Sequence, residues 1–124
     1  MAVTYTTAVK NARLDAVTTA IGTTGVLEIG TSAMASILAT IALGNPAAAA
    51  ASGGVLTLSG FPRSDTSADN TGTAAAARIR TASGGTDIVT GLTVGLSGSD
   101  INLDSLSITT GQTVTLNSAT ITHA

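Results

Sequence analysis

The sequence predicts a mainly β fold, an antiparallel β-sandwich or jelly-roll-like domain with one N-terminal amphipathic helix, and three observations carry that expectation. Beyond Gly25 the chain breaks into short segments rich in β-branched residues, which favour a pleated, half-buried surface. Turn-forming Gly, Ser, Asn and Asp return about every ten residues, a spacing suited to antiparallel connections and not to strands joined by crossover helices. Before Gly25 the apolar residues repeat with a helical period instead.

The elements follow in chain order. From Thr7 to Gly22, Val9, Ala12, Ala16, Val17, Ala20 and Ile21 recur at helical spacing, with Leu14 beside them and Lys10, Arg13 and Asp15 elsewhere. Thr6 or Thr7 caps the start, and Gly22 supplies the left-handed residue that ends the helix. A helix of this length is marginal alone, so it must dock on its own sheet or on a neighbouring subunit. Strands are expected at Val26–Gly30, Ile37–Leu43, Val55–Ser59, Ala75–Thr81, Ile88–Val94, Ile101–Leu103, Ser105–Thr109 and Thr113–Thr122. The last alternates most clearly and slips once near Ser118, which predicts a bulge. Turns fall at Ser83–Thr86, Ser97–Asp100 and Thr110–Gln112. The Asn45–Gly53 stretch reads either as a short helix, with Pro46 at its first position, or as a tight buried loop. Residues 63–72 form the most polar window and are expected as an exposed loop. The whole reads as one globular unit, an arm and helix over residues 1–25 and a β-sandwich over 26–124.

Composition narrows the function. The chain has 124 residues, 44% hydrophobic, 2% aromatic and 10% charged, with a formal net charge of -2. Tyr5 and Phe61 are its aromatics, so the core must come from Ala, Val, Ile and Leu. Charged residues usually make up about 25% of a globular chain; here Thr, Ser and Gly must form the solvated face. Such a surface is weakly held off its neighbours, and a chain built this way is expected to work packed against other chains. Five Lys and Arg against seven Asp and Glu leave no basic stripe for a phosphate backbone, so no nucleic-acid partner is expected. With no cysteine there is no disulfide, thiolate ligand or Cys nucleophile. The longest apolar run, Ala33–Leu43, falls short of the roughly 20 residues that span a bilayer, and the N-terminal segment is too polar for a secretion signal. A soluble, cytoplasmically made protein with no membrane partner is expected.

The constellations that carry chemistry are thin. His123 is the only imidazole and lies one residue from the C-terminus, a poor place to hold a catalytic base. Asp65 with Asp69, or Asp100 with Asp104, read first as turn-forming carboxylates and not as an acid and base pair. Asp100, Asn102 and Asp104 offer oxygens at alternate positions, as a calcium loop does, but Leu106 and Gly111 stand where an EF-hand needs Gly and Glu. Gly91, Gly95 and Gly98 lack dinucleotide spacing and a Walker lysine. The sequence is therefore read as non-enzymatic, with no cofactor and no metal.

Three segments together are familiar: Leu38–Ala47 (Leu-Ala-Thr-Ile-Ala-Leu-Gly-Asn-Pro-Ala), Ala68–Ile79 (Ala-Asp-Asn-Thr-Gly-Thr-Ala-Ala-Ala-Ala-Arg-Ile), and Val94–Leu116 with Gly-Leu-Ser-Gly-Ser-Asp-Ile-Asn-Leu-Asp and Gly-Gln-Thr-Val-Thr-Leu. In this order they resemble small virion structural proteins of tailed bacteriophages, from which the chain departs by its few aromatics. The resemblance implies a capsid decoration or cement protein, or a small neck or tail component, and brings no catalytic residues. It implies a place in the virion, assembly in the host cytoplasm, and the major capsid protein or other virion proteins as partners, with a homo-oligomer, dimer or trimer, as the simplest arrangement. A carbohydrate-binding or adhesin-like β module is the rival, disfavoured because sugars stack on aromatic rings. Candidate contact residues are the arm Ala2, Val3, Thr4 and Tyr5, which could add a strand to a neighbour's sheet; Phe61, Pro62 and Arg63 at the base of the polar loop; and Arg78 and Arg80, alternating on one strand face.

Overall fold

The computed structural model describes residues 4–45 and 47–123. It is mainly β, with one helix near the N-terminus and several antiparallel sheets, a β-sandwich-like arrangement. Helix α1 (Thr7–Ile21) leads into β1 (Val26–Gly30), β2 (Ile37–Ala42), β3 (Val55–Thr57), β4 (Arg63–Asp65), β5 (Gly72–Thr73) and β6 (Ala76–Arg80). Then come β7 (Asp87–Leu92), β8 (Val94–Gly95), β9 (Ile101–Leu103), β10 (Ser107–Ile108) and β11 (Val114–Thr122). One sheet has the order β2-β1-β6-β7 and is antiparallel throughout. A second is organised by the long strand β11, which takes β4 and β3 in succession along one edge and β9 along the other, with β8 added parallel to β9; β5 and β10 pair separately as an antiparallel two-stranded sheet.

The core is aliphatic, as the composition requires. Leu27 lies between Ile41 and Ile79, and Ile29 between Ala39 and Ala77, so branched and small side chains alternate across three strands. Against these in the same cluster stand Leu56, Ile101, Leu103, Val114, Leu116 and Ala119 from the second sheet. Each fully buried Leu or Ile contributes about 1.5–3 kcal/mol of transfer free energy. Phe61 packs at the margin of this cluster.

Helix α1 starts and stops where the sequence places it: the Thr6 hydroxyl accepts the Val9 N–H at 3.3 Å, and Gly22 closes the helix at φ 71°. Its seated face differs from the apolar stripe. Leu14 and Ile21 are buried with Val17 beside them, whereas Val9, Ala12, Ala16 and Ala20 are exposed. The helix is anchored by polar groups instead: Asp15 Oδ1 accepts the Ala51 N–H at 2.8 Å and Asn11 Oδ1 accepts the Gly54 N–H at 2.9 Å. These inward-facing acceptors displace the alanines outward.

Other differences are local. Residues 45–53 form no helix among the described positions; Ala47 and Ala48 are buried, and Ala48 and Ser52 make single bridges to Leu58 and Val55. The loop alternative holds, but only Ala47 and Ala48 are buried while Asn45, Ala49, Ala50, Ser52 and Gly53 are exposed, and Pro46 lies outside the described residues. The expected strand Ile88–Val94 divides into β7 and β8, while the polar window expected as loop contains β4 and contributes to β5. The bulge expected near Ser118 is present between Leu116 and Ser118.

Both edges of the four-stranded sheet are blunted. Along β2, Asp65 Oδ2 accepts the Thr40 N–H at 3.0 Å, Asn70 Nδ2 donates to Ile37 O at 2.8 Å, and the Asp69 N–H donates to Leu38 O at 2.8 Å. A polar loop therefore occupies backbone groups that would template another strand. At the opposite edge β7 carries two register shifts against β6 and a left-handed Gly91, which twist it out of a regular ladder.

Candidate interaction surface

The candidate contact residues are placed as follows. Ala2 and Val3 lie outside the described residues. Thr4 and Tyr5 are exposed and belong to no strand of this chain. Tyr5 is held between the start of α1 and the residue after β11: Arg13 sits 4.5 Å over its ring, and His123 meets it edge-on at 5.8 Å. His123 also donates its backbone N–H to Gly54 O at 2.9 Å.

Phe61 is half-buried, Pro62 is exposed, and Arg63 turns inward along the sheet edge, its Nη1 donating to Ala42 O at 3.3 Å. Arg78 and Arg80 share a face of β6, as their alternation predicts, but they meet acids of this chain. Glu28 of β1 is 3% exposed, and its Oε1 lies 2.7 Å from Arg78 Nε and 3.7 Å from Arg80 Nη1. Asp87 of β7 lies 2.9 Å from Arg80 Nε. Arg80 also donates to Gly85 O, tying the β6–β7 turn to the same cluster. Sequence reasoning passed over Glu28; its signal was a lone acid inside an otherwise apolar strand candidate.

The acidic stretch at residues 97–104 is used in the same inward way. Asp100 Oδ2 accepts the Thr93 N–H at 3.0 Å, Asn102 Oδ1 accepts the Ser99 N–H at 3.0 Å, and Asp104 Oδ1 accepts the Thr115 N–H at 3.4 Å. These oxygens close turns and extend a ladder, as the turn reading expected of Asp100 and Asp104; Asn102 joins them by bonding within the chain. The Asp65 carboxylate acts likewise along the β2 edge, whereas Asp69 meets that edge through its backbone N–H alone. Among the described residues no group of three or more His, Cys, Asp or Glu is gathered for a metal, and no concave pocket is formed.

Charge is thus spent inside the fold. Ten of the twelve charged side chains hold a polar or ring partner in the chain: Arg13 on Tyr5, Asp15 on Ala51, the Glu28, Arg78, Arg80 and Asp87 cluster, Arg63 and Asp65 along β2, and Asp100 and Asp104 at their turns. Lys10 and Asp69 remain.

Two outward faces are nearly free of charge as a result. On α1, Ala8, Ala12, Ala16 and Ala20 line the solvent side at intervals of four residues. On the second sheet, β11 buries Val114, Leu116 and Ala119 and turns Thr115, Ser118 and Thr120 to the other side. There Ser64 and Thr115 hydroxyls meet at 3.0 Å, Asn102 Nδ2 donates to Ser118 Oγ at 2.9 Å, and Thr57 stands opposite Thr120. This hydroxyl and amide surface can be desolvated without burying a charge. No protein-family model, curated protein or solved structure matches the chain.

Proposed function

We propose that this chain is a non-enzymatic structural protein of a tailed-bacteriophage virion, a capsid decoration or cement protein that bridges subunits of the major capsid protein. The observation that carries the reading is the internal use of charge: ten of twelve charged side chains are engaged within the fold, and hydroxyls and methyls cover the faces that remain. A protein packed in many identical copies must suppress repulsion between them and must bury its surface without stranding ions. Reinforced sheet edges serve the same end, because they prevent strand pairing at unintended places. The resemblance of the Leu38–Ala47, Ala68–Ile79 and Val94–Leu116 segments to small phage virion proteins supports the same class.

The mechanism is thermodynamic. A protein that binds the assembled shell but not loose subunits stabilises the shell by mass action. Attachment at many equivalent sites multiplies a modest contact into a large stabilisation. The experiment mixes purified protein with phage heads lacking accessory proteins, then follows co-sedimentation and the head melting temperature. Saturable binding with a raised melting temperature is expected. Binding to isolated tails or necks alone would move the site within the virion, and glycan binding without any virion binding would overturn the reading.

A further inference from the structure

Lys10 and Asp69, the two charged side chains without a partner among the described residues, stand at opposite ends of the molecule. Strand β11 supplies the ruler. Its first residues pair with β4, Val114 opposite Asp65, and Thr115 O accepts the Asp104 N–H. Just before it, Gln112 O accepts the Ala68 N–H and Gly111 donates to Ala68 O, which fixes Asp69 at this end. Its last residue, Thr122, pairs with Val55, and His123 then bonds Gly54, whose N–H is held by Asn11 of α1. Lys10 belongs to that end, its aliphatic stem packed beside Gly54. The nine residues of β11 separate the two, about 30 Å at the ordinary strand rise.

The ends differ in charge. At the first, Asp65, Asp69 and Asp104 outnumber Arg63; at the second, Lys10 and Arg13 offset Asp15 and Asp100, whose carbonyl accepts the Thr120 N–H, and the two cations are gathered at the corner formed by the first turns of α1. That cationic corner is also the more apolar. Tyr5 is 42% exposed and Val9 44% exposed, and these are two of the three large hydrophobic side chains that face solvent among the described residues. Both lie beside Lys10 and Arg13 around the first turns of α1. The acidic end is an exposed polar loop containing Thr66, Ser67, Asp69 and Asn70.

We infer that copies of this chain associate head to tail, with the Tyr5, Val9, Lys10 and Arg13 corner of one copy seated on the Thr66–Asn70 loop of the next and Lys10 set against Asp69. Each copy carries both halves of the contact, which makes a second copy the fitting occupant. A two-fold pairing of like ends sets cation against cation or acid against acid, a cost that the head-to-tail arrangement avoids. Such a contact is heterologous and closes into a ring when the rotation permits. The inference rests on the placement of the surface charges and goes beyond the virion reading.

The test is a charge-reversal exchange. Lys10→Glu and Asp69→Lys are made separately, and circular dichroism with thermal melting verifies each fold. Sedimentation equilibrium at low ionic strength follows association. Wild-type protein is expected to self-associate, and each reversal alone to weaken association about fivefold to twentyfold, because every contact then joins like charges. An equimolar mixture of the two variants is expected to recover association, since the carboxylate introduced in one faces the ammonium introduced in the other. Added salt should weaken both the wild type and the mixture. A wild-type protein that stays monomeric, single reversals that associate like wild type, or a mixture no stronger than its components would each overturn the inference. Should a reversal impair folding, Lys10→Gln and Asp69→Asn give the same comparison with smaller expected losses. Head binding is measured separately, so a monomer that still decorates heads overturns the head-to-tail contact and not the virion reading.

Discussion

Glu28 is the residue on which one face of the four-stranded sheet depends. It stands between Thr40 of β2 and Arg78 of β6, buried beneath two guanidinium groups on the side of the sheet opposite Leu27 and Ile29. An acid placed there is costly to desolvate, and its two arginines recover the cost only while both remain aligned. Removing one member of such a set leaves the others buried without compensation. Glu28→Ala is expected to lower stability by about 3–5 kcal/mol, measured by urea unfolding. Arg78→Ala, whose side chain is 21% exposed, should cost less, because water replaces part of what is lost. If Glu28→Ala unfolds at the wild-type urea midpoint, the cluster is a surface ornament. The alternation of Arg78 and Arg80 was legible in the sequence, since a strand period of two puts them on one face. Their partner was not, because Glu28 lies fifty positions away and no local pattern announces which strand will pair with which.

At the scale of the element, α1 shows how boundaries and faces are encoded by different signals. Its limits were legible because capping is local chemistry, a Thr6 hydroxyl at one end and a left-handed Gly22 at the other. Its seated face was not, because the usual rule counts apolar residues, and here Asn11 and Asp15 point inward as acceptors for the Gly54 and Ala51 N–H groups. Four alanines lose little by facing water, whereas two loop N–H groups lose a bond each if the helix turns. Asn11→Ala and Asp15→Ala together are therefore expected to cost about 2–4 kcal/mol and to raise hydrogen exchange first at Ala51 and Gly54. Uniform exchange along the chain would show instead that Leu14 and Ile21 alone hold the helix. The same logic explains β4: Arg63–Asp65 is too polar to read as a strand, yet it pairs with β11 while its side chains guard the edge of β2. Its polarity is what edge protection requires.

For the whole molecule, the decisive quantity is where charge is absent. The four-stranded sheet carries its ions on one face as a closed cluster, while the face of the β11 sheet bearing Thr57, Ser64, Thr115, Ser118 and Thr120 carries hydroxyls and an amide. Both are polar and both hold pairs of the chain's own, but in the second the pairs join neutral hydroxyls and an amide, whose remaining lone pairs a partner can use without burying an ion. On the function proposed above, the hydroxyl face is the better candidate for contact with a capsid, and on the head-to-tail inference the α1 corner and the Thr66–Asn70 loop serve neighbouring copies. An added charge at such a face costs little in the free protein, since exposed substitutions usually change stability by less than about 0.5 kcal/mol. In a buried interface the same ammonium must be desolvated without a partner, a penalty of several kcal/mol. Thr57→Lys, made at an exposed position of β3, is accordingly expected to melt within a few degrees of wild type while binding accessory-free heads at least about tenfold more weakly. Ala16→Lys, on the solvent side of α1, is the control and should bind heads as wild type does. If the two exchange roles, the helix is the capsid-facing surface, and the hydroxyl face is simply how a protein with few ions stays wet.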